Sequence, residues 1–401
     1  MSGPLAGIRV LDLSRVLAGP WAGQNLADLG AEVIKVERPG SGDDTRGWGP
    51  PWVKDADGGD TGESAYFVSA NRGKKSVTID FTRPEGADLV RRLAAGSHIL
   101  LENLKVGGLA KYGLDWPSLR TVNPALVYCS ITGFGQTGPY RDRAGYDFMI
   151  QGMGGLMAVT GAGEPVKAGV ALCDVLTGMY ATVAVLAALR HAERTGEGQH
   201  VDMALLDTQV ATLANQALNF LVSGERPFRW GNAHPNIVPY QAFATADGHV
   251  ILAVGNDAQY RRFCEVAGRP ALGTDPRYAT NAGRVGHRAE LTEAIAGWMR
   301  ERPSGWWLAE LEKVGVPCGP INELDQVFAD PQVQARGIRM DLPHPQAGTV
   351  PQVASPMRLS ATPVAYERAP PTLGQHTDDV LTEVLGLDAA ALSELREKGI
   401  L

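Results

Sequence analysis

About thirty residues near the start of the chain confine its fold more tightly than any other stretch. Ile8-Arg9-Val10-Leu11-Asp12-Leu13 reads as a strand and Ala18-Gly19-Pro20 as a turn. Trp21–Leu29 makes a short helix ended by Gly30, and Ala31–Glu37 is a second strand. Strand, helix and strand in so short a span form a parallel βαβ unit, whose crossover is right-handed in nearly all cases. The unit lacks G-x-G-x-x-G, so a nicotinamide cofactor is not expected despite the acid Glu37 at the end of the second strand. After a loop rich in Gly, Pro and Asp (Pro39–Glu63), the alternation continues with a strand at Lys75–Asp80 and a helix at Pro84–Ala95. Strands at Ile99–Asn103 and Leu126–Ile131 follow. The pattern predicts an α/β, Rossmann-like, doubly wound sheet with its site at the carboxyl ends of the strands. Arg15, Arg38, Asn103 and Thr132-Gly133-Phe134-Gly135 fall at those ends.

Beyond a helix expected at Asp202–Leu221 the texture changes. Ser223-Gly224-Glu225-Arg226-Pro227 reads as a linker, and Asp247-Gly248 turns a hairpin between Gln241–Thr245 and His249–Val254. Helices near Ala258–Ala267, Arg288–Met299 and Pro303–Lys313 complete a smaller α+β domain. The expected boundaries are 1–222, 223–325 and 326–401, the last ending in a helix at Asp378–Lys398.

Asp174 stands at the mouth of a long apolar helix. From Val175 to Ala192 the only polar side chains are Thr177, Tyr180, Thr182, Arg190 and His191, while Gly178, Ala181, Ala184 and Ala188 recur at steps of three and four. That spacing describes a helix pressed closely against its neighbours. At the N-cap, Asp174 would be held ionised by free backbone N–H groups and the helix dipole, which suits a carboxylate nucleophile. The plain alternative is that it only caps the helix.

A net charge of −7 argues against a general nucleic-acid or membrane surface, so an anionic ligand needs a local basic cluster. Arg15, Lys35, Arg38, Arg46, Arg72, Lys74, Lys75, Lys105 and Lys111 gather early in the chain, mostly after strands. Singly they read as solvated charge; together they would suit a phosphorylated ligand such as coenzyme A. Cys129, Cys173, Cys264 and Cys318 form no C-x-x-C pair, which fits reduced thiols in the cytosol and gives no metal site. Cys173 reads as a small buried filler. Met1-Ser2-Gly3-Pro4-Leu5 carries no leader pattern, and the apolar helix reaches Arg190 too soon and is too rich in Ala for a convincing membrane span.

Several blocks are specific. Val10–Pro20, Leu29–Glu37, Gly42-Asp43-Asp44-Thr45-Arg46, Asn71–Ser76, Glu102-Asn103-Leu104, Thr132–Pro139 and Ala144-Gly145-Tyr146-Asp147 resemble the class III CoA-transferases, also called CaiB/BaiF. Gly169–Tyr180, Thr195–Gln199, Gly315–Pro320 and Leu373–Thr377 extend the match across nearly the whole chain. The resemblance implies an interlocked homodimer whose large domain is completed by the C-terminal segment. It implies that Asp174 attacks a donor thioester, becomes an aspartyl-CoA thioester and hands the coenzyme to a carboxylic acid. Coenzyme A and acyl-CoA are then substrates, and no prosthetic group or metal is needed.

Positions matching the family's coenzyme A contacts are Arg15, Val16, Ala18, Arg38, Lys74, Lys75 and Asn103, to which Arg72 is added. Lys111 stands where relatives often carry Arg, keeping the charge without the bidentate geometry. Racemases of the family carry a His where this chain has Tyr146, so racemization is disfavoured. Formyl-CoA:oxalate enzymes carry a Gln where it has Leu17, and a glycine-rich loop in place of Trp230–Gln241. That last string most resembles the succinyl-CoA:glutarate, or dicarboxylate, enzymes. Arg46, Trp48, Tyr146 and His234 are the expected neighbours of the acyl chain, with Arg46 and His234 as cations for a second carboxylate. A non-catalytic coenzyme A-binding protein is the remaining alternative, against which the intact Asp174 speaks.

Overall fold

A computed structural model describes residues 3–401; Met1 and Ser2, the start of the segment read as carrying no leader pattern, lie outside the described residues. The large sheet has six strands, all parallel: β1 (Arg9–Asp12), β2 (Glu32–Glu37), β3 (Lys74–Thr78), β4 (Ile99–Glu102), β5 (Val127–Thr132) and β6 (His200–Ala204). Their order across the sheet is β3-β2-β1-β4-β5-β6. Winding reverses between β1 and β4, and a crevice at such a point is where doubly wound sheets bind ligands.

Both faces are covered, which is why the central strands carry adjacent apolar residues such as Val10-Leu11 and Leu100-Leu101 that enter opposite cores. Neighbours along β1 split between two cores. Val10 packs among residues of α1 (Ala18–Asp28) and α4 (Leu172–Thr195), such as Leu26, Ala181 and Val185. Leu11 packs with Leu89 and Leu93 of α2 (Pro84–Ala95) and with Val380 and Leu392 from the C-terminal helices. A third helix, α3 (Asp147–Met153), lies before α4 in the chain. α4 is long and apolar enough to cross a membrane by length and composition alone, with 44% of its most apolar window buried in the fold. It lies against α1 so closely that a Cβ on Gly178 would stand 2.7 Å from the Ala18 carbonyl oxygen.

Ala18-Gly19-Pro20, read from sequence as a turn, is instead the first turn of α1, and two further expectations are corrected. The segment from Asp202 is not one helix: His200–Ala204 is the sixth strand, paired with β5, and helices occupy Leu205–Ala211 and Asn215–Ser223. Its alternating side chains meet β5, a partner some seventy positions away that no local periodicity reveals. The terminal helix is also two, Thr377–Leu385 and Ala389–Glu397, separated where Gly386 takes φ +69° as a left-handed cap.

The chain divides into two compact units. The larger comprises residues 1–156, 168–217 and 332–401; the smaller comprises 157–167 and 218–331. The segment 157–167, placed by sequence reading in the large domain, belongs to the smaller unit because Gly231 N–H donates to the Gly161 carbonyl and Arg229 to that of Gly163. That unit carries an antiparallel sheet of Tyr240–Ala244, His249–Ala253 and Cys318–Pro320. Its own core is built around Tyr260, Phe263 and Trp307.

Candidate active site

The loops at the switch point are tied by their own backbone. After β1, Arg15 N–H donates to Asn103 Oδ1 at 2.8 Å, and Asn103 Nδ2 donates back to the Arg15 carbonyl at 2.6 Å. Val16 follows with φ +71°, a region that a β-branched residue enters at a cost of about 1–3 kcal/mol. Its N–H donates to the Asp43 carboxylate at 3.2 and 3.3 Å. Asp43 is in turn bonded by Lys35 Nζ at 2.9 Å and by the backbone N–H and hydroxyl of Thr45. Burial alone would raise the Asp43 carboxyl, but Lys35 and the Thr45 donors bring it down to about 2. A permanent buried anion thus holds the strained turn.

Two adjoining cavities open here, of about 360 and 320 Å³, and share Arg15, Leu104 and Lys105. The first is lined by Val16, Ala18, Gly133, Arg143, Tyr146 and Asp174. The second is lined by Arg38, Lys111 and the Asp80–Thr82 turn. The Asp174 carboxylate therefore lies along one part of the crevice and cations gather along the other.

Asp174 is not the N-cap. The cap of α4 is Ala171, and Asp174 lies within the first turn. The N–H groups expected to hold Asp174 ionised are taken by another acid: Asp147 Oδ1 accepts from Cys173 N at 2.8 Å and Asp174 N at 3.3 Å. Gln151 Nε2 donates to the other oxygen of Asp147 at 2.7 Å. Burial, then the nearby Asp147 charge, push the Asp174 carboxyl up to about 7. The expectation of a firmly ionised Asp174 is overturned, first because the carboxyl is buried and then because the Asp147 charge stands beside it on the N–H groups it was to use. Close by, burial and then the charges of Asp174, Asp147 and Asp43 push the Tyr66 phenol up to about 12. Cys173 is the filler expected, its Sγ on the Leu205 carbonyl and its thiol raised to about 12, chiefly by burial.

Asp147→Asn keeps the oxygen that accepts from the helix but removes the charge. The acid limb of the kcat/KM profile should then move to lower pH by up to about one unit, because Asp174 ionises more easily. An unmoved limb would show that the Asp147 charge does not reach the carboxylate.

The cations chosen from sequence separate sharply. Arg15, Arg38 and Lys111 line the crevice, as do Val16, Ala18 and Asn103. Lys74 does not: it is wholly buried, with Nζ on Asp12, the Pro20 carbonyl and Asn71 at 2.9 Å each. Burial pushes this amine down to about 8 against the pull of Asp12. Lys75 binds Glu32 at 2.8 Å and reaches Glu383 at 3.5 Å, lining neither cavity. Arg72 makes a fork on Asp28 at 2.8 and 2.6 Å and donates to the Val353 carbonyl. All three are corrected from ligand contacts to internal ties, since each meets an acid that folding brings beside it.

The acyl-end choices fare similarly. Arg46 is buried between Glu37 and Glu63, at 2.8 Å from each, and lies 3.6 Å over the Phe67 ring. No donor direction is left to a substrate. His234 belongs to the smaller unit, where Nδ1 accepts from Asn236 N; burial and then Arg288 lower its pKa, so it is no cation. Trp48 packs edge-on against Tyr66 at 5.1 Å and lines neither cavity. Tyr146 does line the first. Sequence reading missed the contact of Asp147 with the head of α4 and did not single out Arg143, which lines the first cavity. Asp147 lay within a motif already singled out, Ala144-Gly145-Tyr146-Asp147, as an acid opening a helix.

The model of CoA-transferase family III matches residues 5–377. The chain is 55% identical over 390 residues to a succinate–glutarate CoA-transferase of Agrobacterium fabrum, covering 97% of each chain. It is 44% identical over 399 residues to a human succinyl-CoA:glutarate CoA-transferase, covering 99% of this chain and 90% of that one. A crystal structure of a CaiB/BaiF family protein from Brucella suis is 51% identical, with a TM-score of 0.84 over 96% of this chain and all of the other. The reversed sheet, the carboxylate-lined crevice and a match across almost the full length lead to one assignment: this chain belongs to CoA-transferase family III.

Proposed function

We propose that the chain moves coenzyme A from succinyl-CoA to glutarate or a similar short dicarboxylate, with Asp174 as covalent carrier. An Asp174 carboxylate oxygen adds to the donor thioester carbonyl, the C–S bond breaks, and coenzyme A thiolate leaves behind a mixed anhydride. The thiolate then attacks the Asp174 carbonyl carbon, releasing succinate and leaving an aspartyl-CoA thioester. The acceptor carboxylate displaces the thiolate from Asp174, and the thiolate attacks the acceptor carbonyl, restoring the Asp174 carboxylate. One observation carries the reading: a half-buried carboxylate lines a crevice whose adjoining part holds Arg38, Lys105 and Lys111. With its carboxyl raised toward neutrality by burial and then by the Asp147 charge, Asp174 is more basic than an ordinary carboxylate, which favours attack by its ionised form. Acid quenching during turnover should leave coenzyme A on the peptide containing Asp174. A mass spectrum showing only unmodified peptide while product accumulates would refute the covalent route.

Arg38 and Lys111 are the proposed phosphate contacts. Arg38→Ala and Lys111→Ala should each raise KM about tenfold for every acyl-CoA donor alike, with acceptor preference unchanged. Donor-specific effects in steady-state kinetics would remove them from the phosphate end.

A homodimer is part of the same reading. Met179, Tyr180 and Val183 of α4 are 38%, 47% and 62% exposed, an apolar stripe that a second copy would cover. A monomer by light scattering at micromolar concentration would contradict it. Four free cysteines support a reducing compartment such as the cytosol.

A further inference from the structure

A dicarboxylic substrate carries a difficulty that the Asp174 chemistry does not solve. When one carboxyl group reacts at Asp174, the other remains charged inside the same cavity, and a desolvated carboxylate needs a cation. Arg46 and His234 cannot serve, for the reasons given above. The basic side chains lining the first cavity are Arg15, Lys105, Arg141 and Arg143. Arg15 is paired with Asp44 at 3.2 Å, and both it and Lys105 also border the cavity of Arg38 and Lys111. Arg141 reaches Asp142 at 3.6 Å.

Arg143 differs from all three. It lines the first cavity and not the second, and no carboxylate among the described residues forms an ion pair with it. Its guanidinium lies over the Tyr140 ring at 4.6 Å and the Phe134 ring at 5.5 Å. Stacking orients a guanidinium while leaving its in-plane N–H donors free for a bidentate carboxylate. The loop is pinned on both sides. Arg143 N–H donates to the Tyr140 carbonyl at 2.9 Å, and Gly145 approaches Gly133 so closely that a Cβ there would lie 2.5 Å from the Gly133 Cα. Two residues beyond Gly145, Asp147 bonds the backbone of Asp174 itself. The cation and the reactive carboxylate are thus held to one another by a short, braced stretch of chain.

We infer that Arg143 is the specificity-determining residue that binds the distal carboxylate of the dicarboxylic acyl group. The inference rests on the dicarboxylate reading, and the experiment separates the two. The full-length enzyme and its Arg143→Gln and Arg143→Lys variants are assayed with glutarate and with pentanoate, the monocarboxylate of equal chain length. The expected result is a loss of about 100-fold in kcat/KM for glutarate in Arg143→Gln, with pentanoate unchanged. Arg143→Lys should recover part of the diacid preference. Thermal melts of all three proteins should coincide, since the side chain is exposed. A wild-type enzyme that shows no preference for glutarate would overturn the dicarboxylate reading and this inference together. A preference that survives in Arg143→Gln, or a loss shared equally by both acids, would overturn the role of Arg143 alone.

Discussion

Asp174→Ala and Asp174→Asn will each lower CoA transfer by more than about 1,000-fold, while the protein stays folded and binds acyl-CoA. Every proposed exchange passes through a bond to this carboxylate, and neither replacement can form an anhydride that reopens. Both the anhydride and the thioester should vanish from acid-quenched samples, which distinguishes loss of the nucleophile from loss of binding. Residual turnover within tenfold of wild type would end the assignment. A second consequence concerns stability. The folded carboxyl is raised from 3.8 to about 7, so the ionised form is disfavoured in the fold. That penalty is absent below about pH 4, grows as pH rises, and is complete above about pH 7. Asp174→Asn escapes it and should gain about 2 kcal/mol over wild type at pH 8, with little difference at pH 4. The full shift would be worth about 4 kcal/mol, discounted here because the group is partly exposed. Urea melts at the two pH values decide it; an equal gain at both would mean that charge is not the cause.

Lys74→Met will act in the opposite way, on stability and not on the substrate. Lys74 and Asp12 are both wholly inaccessible and 2.9 Å apart, with Ser14 N–H completing the Asp12 carboxylate at 2.9 Å. Burial would raise the Asp12 carboxyl, yet Lys74 and Lys35 together hold it below its ordinary value. Removing the amine strands that carboxylate under the strained turn, at a cost of roughly 3–5 kcal/mol. Denaturant midpoints should fall accordingly, while the folded fraction keeps its KM for acyl-CoA. Adding Asp12→Leu should restore most of the loss, since the stranded charge is then gone. A raised KM with an unchanged melt would return Lys74 to the phosphate-binding role expected from sequence.

The contrast between Lys74 and Arg38 marks where sequence reading reached its limit. Both are basic residues near strand ends in a matching motif, and nothing in their neighbours along the chain distinguishes them. One faces the crevice; the other is closed in by an acid 62 positions away. Arg72 meets Asp28 across 44 positions, and Arg46 donates to the Pro371 carbonyl across 325. Asp174 shows the same limit more finely. Its place at the head of an apolar helix is plain, but its charge state depends on burial and then on Asp147, which arrives from a separate helix to take the N–H groups.

What the sequence determined by itself was the part of the protein governed by local rules. Turn residues and the apolar period placed nearly all of the parallel strands, the α2 helix to the residue, and a carboxylate at the mouth of α4. These follow from backbone geometry and burial of neighbours a few positions apart. Only the tertiary structure decided that β6 is a strand, which cations are free, and how acidic Asp174 is. Those outcomes depend on distances between groups far apart in the chain, because a charge is set by what surrounds it in space and by how much water remains.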